Sequence, residues 1–167
     1  WEITGHILRK NTDLSEEIVQ LISTYGMGSV KVNLSNSFEI MQTVQNTAIK
    51  WLTSFKPETL ENLLHTSEVW GKSKNEEWRF LLDFLETWFR DLTWIRFGLP
   101  EKKLLNQNYT LNVDRVSELK QCARYFSLHQ IFEIFREIEK SRAAINLNAN
   151  KSLAIESLCL QIYRTAK

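Results

Sequence analysis

The segment from about Lys74 to Phe97 carries Trp78, Phe80, Leu81, Leu82, Phe84, Leu85, Trp88, Phe89, Leu92, Trp94 and Ile95. On a helix these side chains occupy nearly the whole circumference, and no single neighbour can cover them all. A chain containing such a segment must surround it, so this helix belongs at the centre of a bundle or in an assembly interface. Gly98-Leu99-Pro100 supplies its stop. Breakers are scarce elsewhere too, with five Gly and two Pro in 167 residues, which favours long unbroken elements. No segment sustains alternation of apolar and polar residues, so the expected fold class is all-α, a helical bundle.

The remaining helices are read from their apolar spacing. Trp1, Ile3, Ile7 and Leu8 suggest part of a helix, and Asp13 caps a second that carries Leu14, Ile18, Leu21 and Ile22 and stops at Gly26. Ser29 can cap the next helix. Ser35-Asn36-Ser37 marks a joint, which divides the chain into residues 1–36 and 37–167. Phe38, Met41, Val44, Ala48, Trp51, Leu52 and Phe55 then form the stripe of an amphipathic helix that Pro57 ends. Leu60, Leu63, Leu64 and Trp70 line a shorter helix that Gly71 closes.

Beyond a polar loop at residues 99–111, Asn112 is placed to cap a helix with Val113, Val116, Leu119, Ala123 and Phe126. Ser127 and Gln130 have the spacing of a capping box, with Phe126 and Ile131 at the staple positions. That helix runs to about Ile145. Asn148-Ala149-Asn150 then makes a tight corner, because asparagine both tolerates left-handed backbone and caps helix starts. The last helix is apolar on most faces, with Leu153, Ala154, Ile155, Leu158, Cys159, Leu160 and Ile162, so it is expected to be buried, Glu156 being its polar exception.

Charge and cysteine usage name no partner. The formal net charge is +1, which exerts no overall pull toward nucleic acid or anionic membrane. Cys122 and Cys159 are far apart with no histidine at ligand spacing, which points to buried thiols and weakly to a cytosolic setting. No apolar run suits a membrane span and no leader pattern is evident.

Motifs that carry chemistry fail on inspection. Gly71-Lys72-Ser73 has Thr66 where a phosphate-binding loop needs its first glycine, and a helix rather than a strand precedes it. Lys31 stands where the third glycine of a dinucleotide fingerprint beginning at Gly26 would be. His6, His65 and His129 are isolated, and the charges of the central helix read as surface pairs, Glu86 with Arg90 and Arg79 with Asp83. The residues therefore indicate no catalytic group, no metal ligands and no cofactor. The aromatics keep to helical periods, which fits a core or protein interface better than a base-stacking platform.

In combination, several strings carry a family resemblance. Asn112-Val113-Asp114, Phe126-Ser127, Ser141-Arg142 and Asn148-Ala149-Asn150-x-x-Leu153-x-Ile155-Glu156-x-Leu158 stand in the order and spacing of a known closing pattern. Trp88-Phe89-Arg90-Asp91-Leu92 is similar to the same family's central helix, and Gly28-Ser29-Val30-Lys31 to its Gly-Ser element. The chain resembles the C-terminal region of the delta-prime subunits of bacterial DNA polymerase III, which belong to the clamp loader.

The resemblance implies the end of an AAA+ lid at residues 1–36, a helical collar at 37–167, a cytoplasmic location and partnership with tau or gamma and delta subunits. Contact with primer-template DNA would come through the assembled complex. It further implies no nucleotide hydrolysis, since Lys31 replaces a nucleotide-sensing arginine and lacks its forked geometry. Trp88, Phe89, Arg90, Asp91, Arg142, Asn148, Asn150 and Glu156 become candidates for subunit interfaces. A tau or gamma collar is the near alternative. A helical nucleic-acid-binding module using Lys102, Lys103, Arg115, Lys120 and Arg124 is the distant one.

Overall fold

The computed structural model describes residues 34–72, 77–100, 103 and 112–166. The two helices expected before Gly26, the Gly-Ser element with Lys31, and most of the loop at 101–111 lie outside the described residues. The described residues form six α-helices and two short 3-10 turns, with no strand among them, so the fold is all-α.

The helices are α1 (Leu34–Leu52), α2 (Pro57–Lys72), α3 (Glu77–Arg96), α4 (Val116–Cys122), α5 (Leu128–Asn146) and α6 (Lys151–Thr165). The 3-10 turns Val113–Arg115 and Ala123–Tyr125 flank α4. The chain divides into two compact units, Trp1–Thr43 and Val44–Lys167. The described part of the first unit is the opening half of α1, so the expected joint Ser35-Asn36-Ser37 is helical.

In the second unit, packing runs in a closed circuit: α2 against α6, α6 against α5, α5 against α3, and α3 back against α2. Helix α4 adds a further side to α3. Helix α3 thus meets neighbours on three sides, which explains its unusual composition. Leu81, Leu82, Phe84, Leu85, Trp88, Phe89 and Leu92 are each at most 1% exposed. Burying one such side chain stabilises a fold by about 1.5–3 kcal/mol. Trp88 donates its indole N–H to Cys122 Sγ at 3.4 Å, and Phe89 meets Phe126 edge-on at 5.3 Å.

Among the described residues, three helix ends have left-handed C-caps. At the end of α3, Gly98 (φ 75) completes a Schellman motif, with Leu99 N donating to Trp94 O and Gly98 N to Ile95 O, both at 3.0 Å. At the end of α5, Asn148 (φ 64) plays the same part: Ala149 N reaches Ala144 O at 2.9 Å and Asn148 N reaches Ile145 O at 3.0 Å. The third is Phe55 (φ 45), whose N–H closes on Trp51 O at 3.1 Å after α1 has ended at Leu52. Left-handed backbone costs a residue with a Cβ about 1–2 kcal/mol. Pro57 does not end α1, as its position suggests, but opens α2, where its missing N–H has no helical partner to lose.

Two other expectations are corrected. Gly71 does not close α2, which continues to Lys72; the glycine instead faces α6, where a Cβ would stand 2.5 Å from Ser152 Cα. Helix α6 is not buried on most faces. Its buried stripe is Ser152, Ile155, Leu158, Cys159 and Ile162, while Leu153 is 63% exposed, because α2 and α5 cover only part of its circumference.

Candidate functional site

Among the described residues, those singled out by the sequence fall into three places: the seam between α3 and α5, the junction of α3 with α4 and the turn before it, and the corner between α5 and α6. At the seam, Arg142 reaches from α5 to α3. Its Nη1 donates to Asp83 Oδ1 at 2.6 Å and its Nη2 to Glu86 Oε2 at 2.7 Å, while its Nε lies 3.5 Å from Glu139 Oε1. Glu86 therefore pairs across the seam rather than with Arg90. Burial pushes the Asp83 carboxyl above its ordinary range, against the opposing pull of the Arg142 guanidinium. Partial burial works against the charge on Arg142, but Asp83, then Glu86 and Glu139, raises its pKa overall.

Asp91, on the same helix, is 0% exposed. Its Oδ2 accepts from the backbone N of Asn112 at 2.9 Å and from Asn112 Nδ2 at 2.7 Å. Asn112 therefore does not use its side chain to cap the helix it precedes, as its position suggests. A carboxylate with no water beside it needs donors, and that demand outweighs the gain from a cap. Trp88, Phe89 and Asp91 are enclosed within this chain, whereas Arg90 is exposed.

At the corner, Asn150 accepts from Leu153 N at 3.2 Å and starts α6 immediately after the Asn148 cap. Glu156 accepts from Ser152 Oγ at 3.0 Å, a partner one turn earlier in its own helix. Leu147 is 82% and Leu153 63% exposed, two apolar side chains beside the exposed Asn146, Asn148 and Asn150. At the opposite end of the hairpin the capping box forms as expected: Gln130 Oε1 accepts from Ser127 N at 2.7 Å, and Ser127 Oγ accepts from Gln130 N at 3.3 Å. Gln130 Nε2 also donates to Thr165 O at 2.9 Å, tying the start of α5 to the end of α6.

A shallow groove of about 180 Å³ between α5 and α6 is lined by Glu133, Arg136, Glu137, Gln161, Ile162 and Thr165. Its charges answer one another or near neighbours, Arg136 to Glu133 at 3.7 Å and Lys140 to Glu137 at 2.6 Å. Both thiols are buried, and desolvation pushes each pKa up to about 12, far from nucleophilic. Among the described residues no group of three or more His, Cys, Asp or Glu is placed to hold a metal ion. No helix among them is long and apolar enough to cross a membrane. Lys72, of the Gly-Lys-Ser string, pairs with Glu68.

Arg142 is marked in the sequence only by its string, and no local pattern shows its role, since its partners Asp83 and Glu86 lie far back in the chain. The close approach at Gly71 is hidden because a glycine near the end of a helical pattern reads as a stop. The chain matches no family model, no curated protein and no solved structure.

Proposed function

We propose that this chain is an assembly module, the collar of a bacterial clamp loader of delta-prime type, which holds tau or gamma and delta subunits by packing helix against helix. The reading rests on the order and spacing of its closing strings. The observation that best supports it is the pair of exposed leucines at the corner within them, Leu147 at 82% and Leu153 at 63% exposure on a rigidly capped turn. Apolar side chains held out on an ordered corner are surface that a partner helix can cover. In this reading the chain is cytoplasmic, performs no chemistry and holds no cofactor, and Lys31 stands at the nucleotide-sensing position of a subunit that does not hydrolyse ATP. Trp88, Phe89 and Asp91 support the interface from within, while Arg90, Asn148 and the corner leucines lie at the surface.

The nucleic-acid alternative gains no support from Arg115, which is bracketed by Asp114 at 3.2 Å and Glu118 at 3.4 Å. Sedimentation of this chain mixed with tau or gamma and delta collars tests the proposal. A faster-sedimenting complex is expected at micromolar protein, weakened when Leu147 and Leu153 are both changed to Asp. Independent sedimentation of all components would remove the assembly role.

A further inference from the structure

Of the three left-handed C-caps, two use residue types that adopt this backbone readily, glycine at Gly98 and asparagine at Asn148. The third uses phenylalanine. Phenylalanine has no such backbone preference, so contacts made by the residue and its neighbours must offset the cost, and the ring makes the largest set of them. That ring lies 4.8 Å from Tyr125, 5.3 Å from Phe126 and 6.5 Å from Tyr163, as well as 5.7 Å from Trp51 of its own helix. Tyr125 and Phe126 belong to the α4–α5 joint and Tyr163 to the last turn of α6. The turn has a second tether nearby, because Thr53 O accepts from Gln121 Nε2 at 2.7 Å.

We propose that Phe55 is a two-state latch, in which the ring's seat among Tyr125, Phe126 and Tyr163 and the left-handed cap of α1 are held or released together. With the ring seated, aromatic packing offsets the backbone cost and the N–H of Phe55 stays on Trp51 O. With the ring out, the bonds that remain on the turn, Gln121 Nε2 to Thr53 O at 2.7 Å and Lys56 N to Thr59 Oγ1 at 3.1 Å, do not offset the left-handed cost at residue 55; the cap opens and the α1–α2 joint frays while the α2–α3–α5–α6 circuit stays intact. The α1–α2 joint is then a cooperative local unit, and an aromatic side chain competing for the seat would free it.

Amide hydrogen exchange on the whole chain separates this latch from simple packing. Phe55→Gly removes the ring and the backbone cost together, whereas Phe55→Ala removes the ring and leaves the cost. The latch therefore requires exchange at the residue-55 amide to accelerate about tenfold in F55A, while F55G stays near wild type. If the ring matters only as packing, F55G also exchanges well above the wild-type rate, and the proposal fails. Tyr163→Ala alters the seat without touching residue 55 and serves if both residue-55 variants unfold. Its residue-55 amide is expected to exchange about tenfold faster while amides of Leu85 and Trp88 are unchanged. An unchanged residue-55 amide in Y163A would equally overturn the coupling.

Discussion

Gly71 lies so close to Ser152 that a Cβ added to the glycine would stand 2.5 Å from Ser152 Cα and 2.6 Å from its N. The two nearest neighbours are backbone atoms of the first turn of α6 and the third is Ser152 Cβ at 2.8 Å, none of which a side-chain rotation can move. At an exposed helical position Gly→Ala stabilises by about 1 kcal/mol. Here the sign reverses, and Gly71→Ala is expected to cost about 2 kcal/mol through forced separation of α2 and α6. Urea denaturation of the single variant and of G71A with Ser152→Gly measures it. Because the second change removes Ser152 Cβ but leaves the two closer backbone atoms, it is expected to leave most of the loss in place, and recovery of wild-type stability would show the contact to be with the serine side chain.

The buried Asp91 serves two donors of Asn112 through one oxygen. Asp91→Ala strands both the backbone N–H and the side-chain amide from this acceptor, while Asn112→Ala removes only one donor. The expected order of destabilisation is D91A above N112A, the latter at about 1–3 kcal/mol. Equal losses in chemical denaturation would mean that the backbone N–H contributes nothing.

Arg142 compensates acids on both helices of the seam. Arg142→Met would leave Asp83 buried without its cation, a change expected to cost about 3 kcal/mol at neutral pH. Asp83 already has its folded pKa raised by burial, and loss of Arg142 raises it further. A carboxyl whose folded pKa lies above its unfolded one binds its proton more tightly in the folded state. Its penalty is therefore full at neutral pH and shrinks as pH falls through the raised value. The stability gap between wild type and R142M should narrow on mild acidification, and should lose that pH dependence when Asp83→Asn is added to both. A gap constant with pH would show that packing, not charge, sets the cost.

The two buried thiols bear on alkaline stability. Each has a folded pKa of about 12, against about 8.5 in an unfolded chain. Below the unfolded value both states hold the proton and nothing is lost. As pH rises from there toward about 12, only the unfolded state ionises, and each thiol removes up to about 1.4 kcal/mol of stability per pH unit. Cys159→Ala, whatever its cavity cost, should flatten the fall measured above about pH 9 by about that slope. An unchanged slope would locate the alkaline loss elsewhere.

What the sequence made legible was what local rules decide. The all-α class, the central position of α3, the Gly98 stop, the Ser127–Gln130 box and the Asn148–Asn150 corner each depend on residues within a few positions of one another. What it hid was set by partners distant in sequence. Gly71 reads as a stop because Ser152, the reason for a glycine there, is in another helix. Asn112 reads as a cap because Asp91, its actual partner, is brought beside it only by folding. Helix α6 reads as buried on most faces because apolar content does not reveal that its main neighbours α2 and α5 cover only part of it, leaving Leu153 outside. The candidate interface residues show the same limit: Trp88 and Phe89 spend their surface inside the chain.

A capping box accepts Glu or Gln at its third position with little distinction. In this chain Gln130 also donates from Nε2 to Thr165 O, a bond that a carboxylate cannot make and would repel. The helix start alone would leave two spellings equivalent, and the last turn of α6 selects one of them. Gln130→Glu is thus a silent change for α5 in isolation and a costly one once α6 has docked, so the hairpin proofreads a residue that its own local code leaves ambiguous.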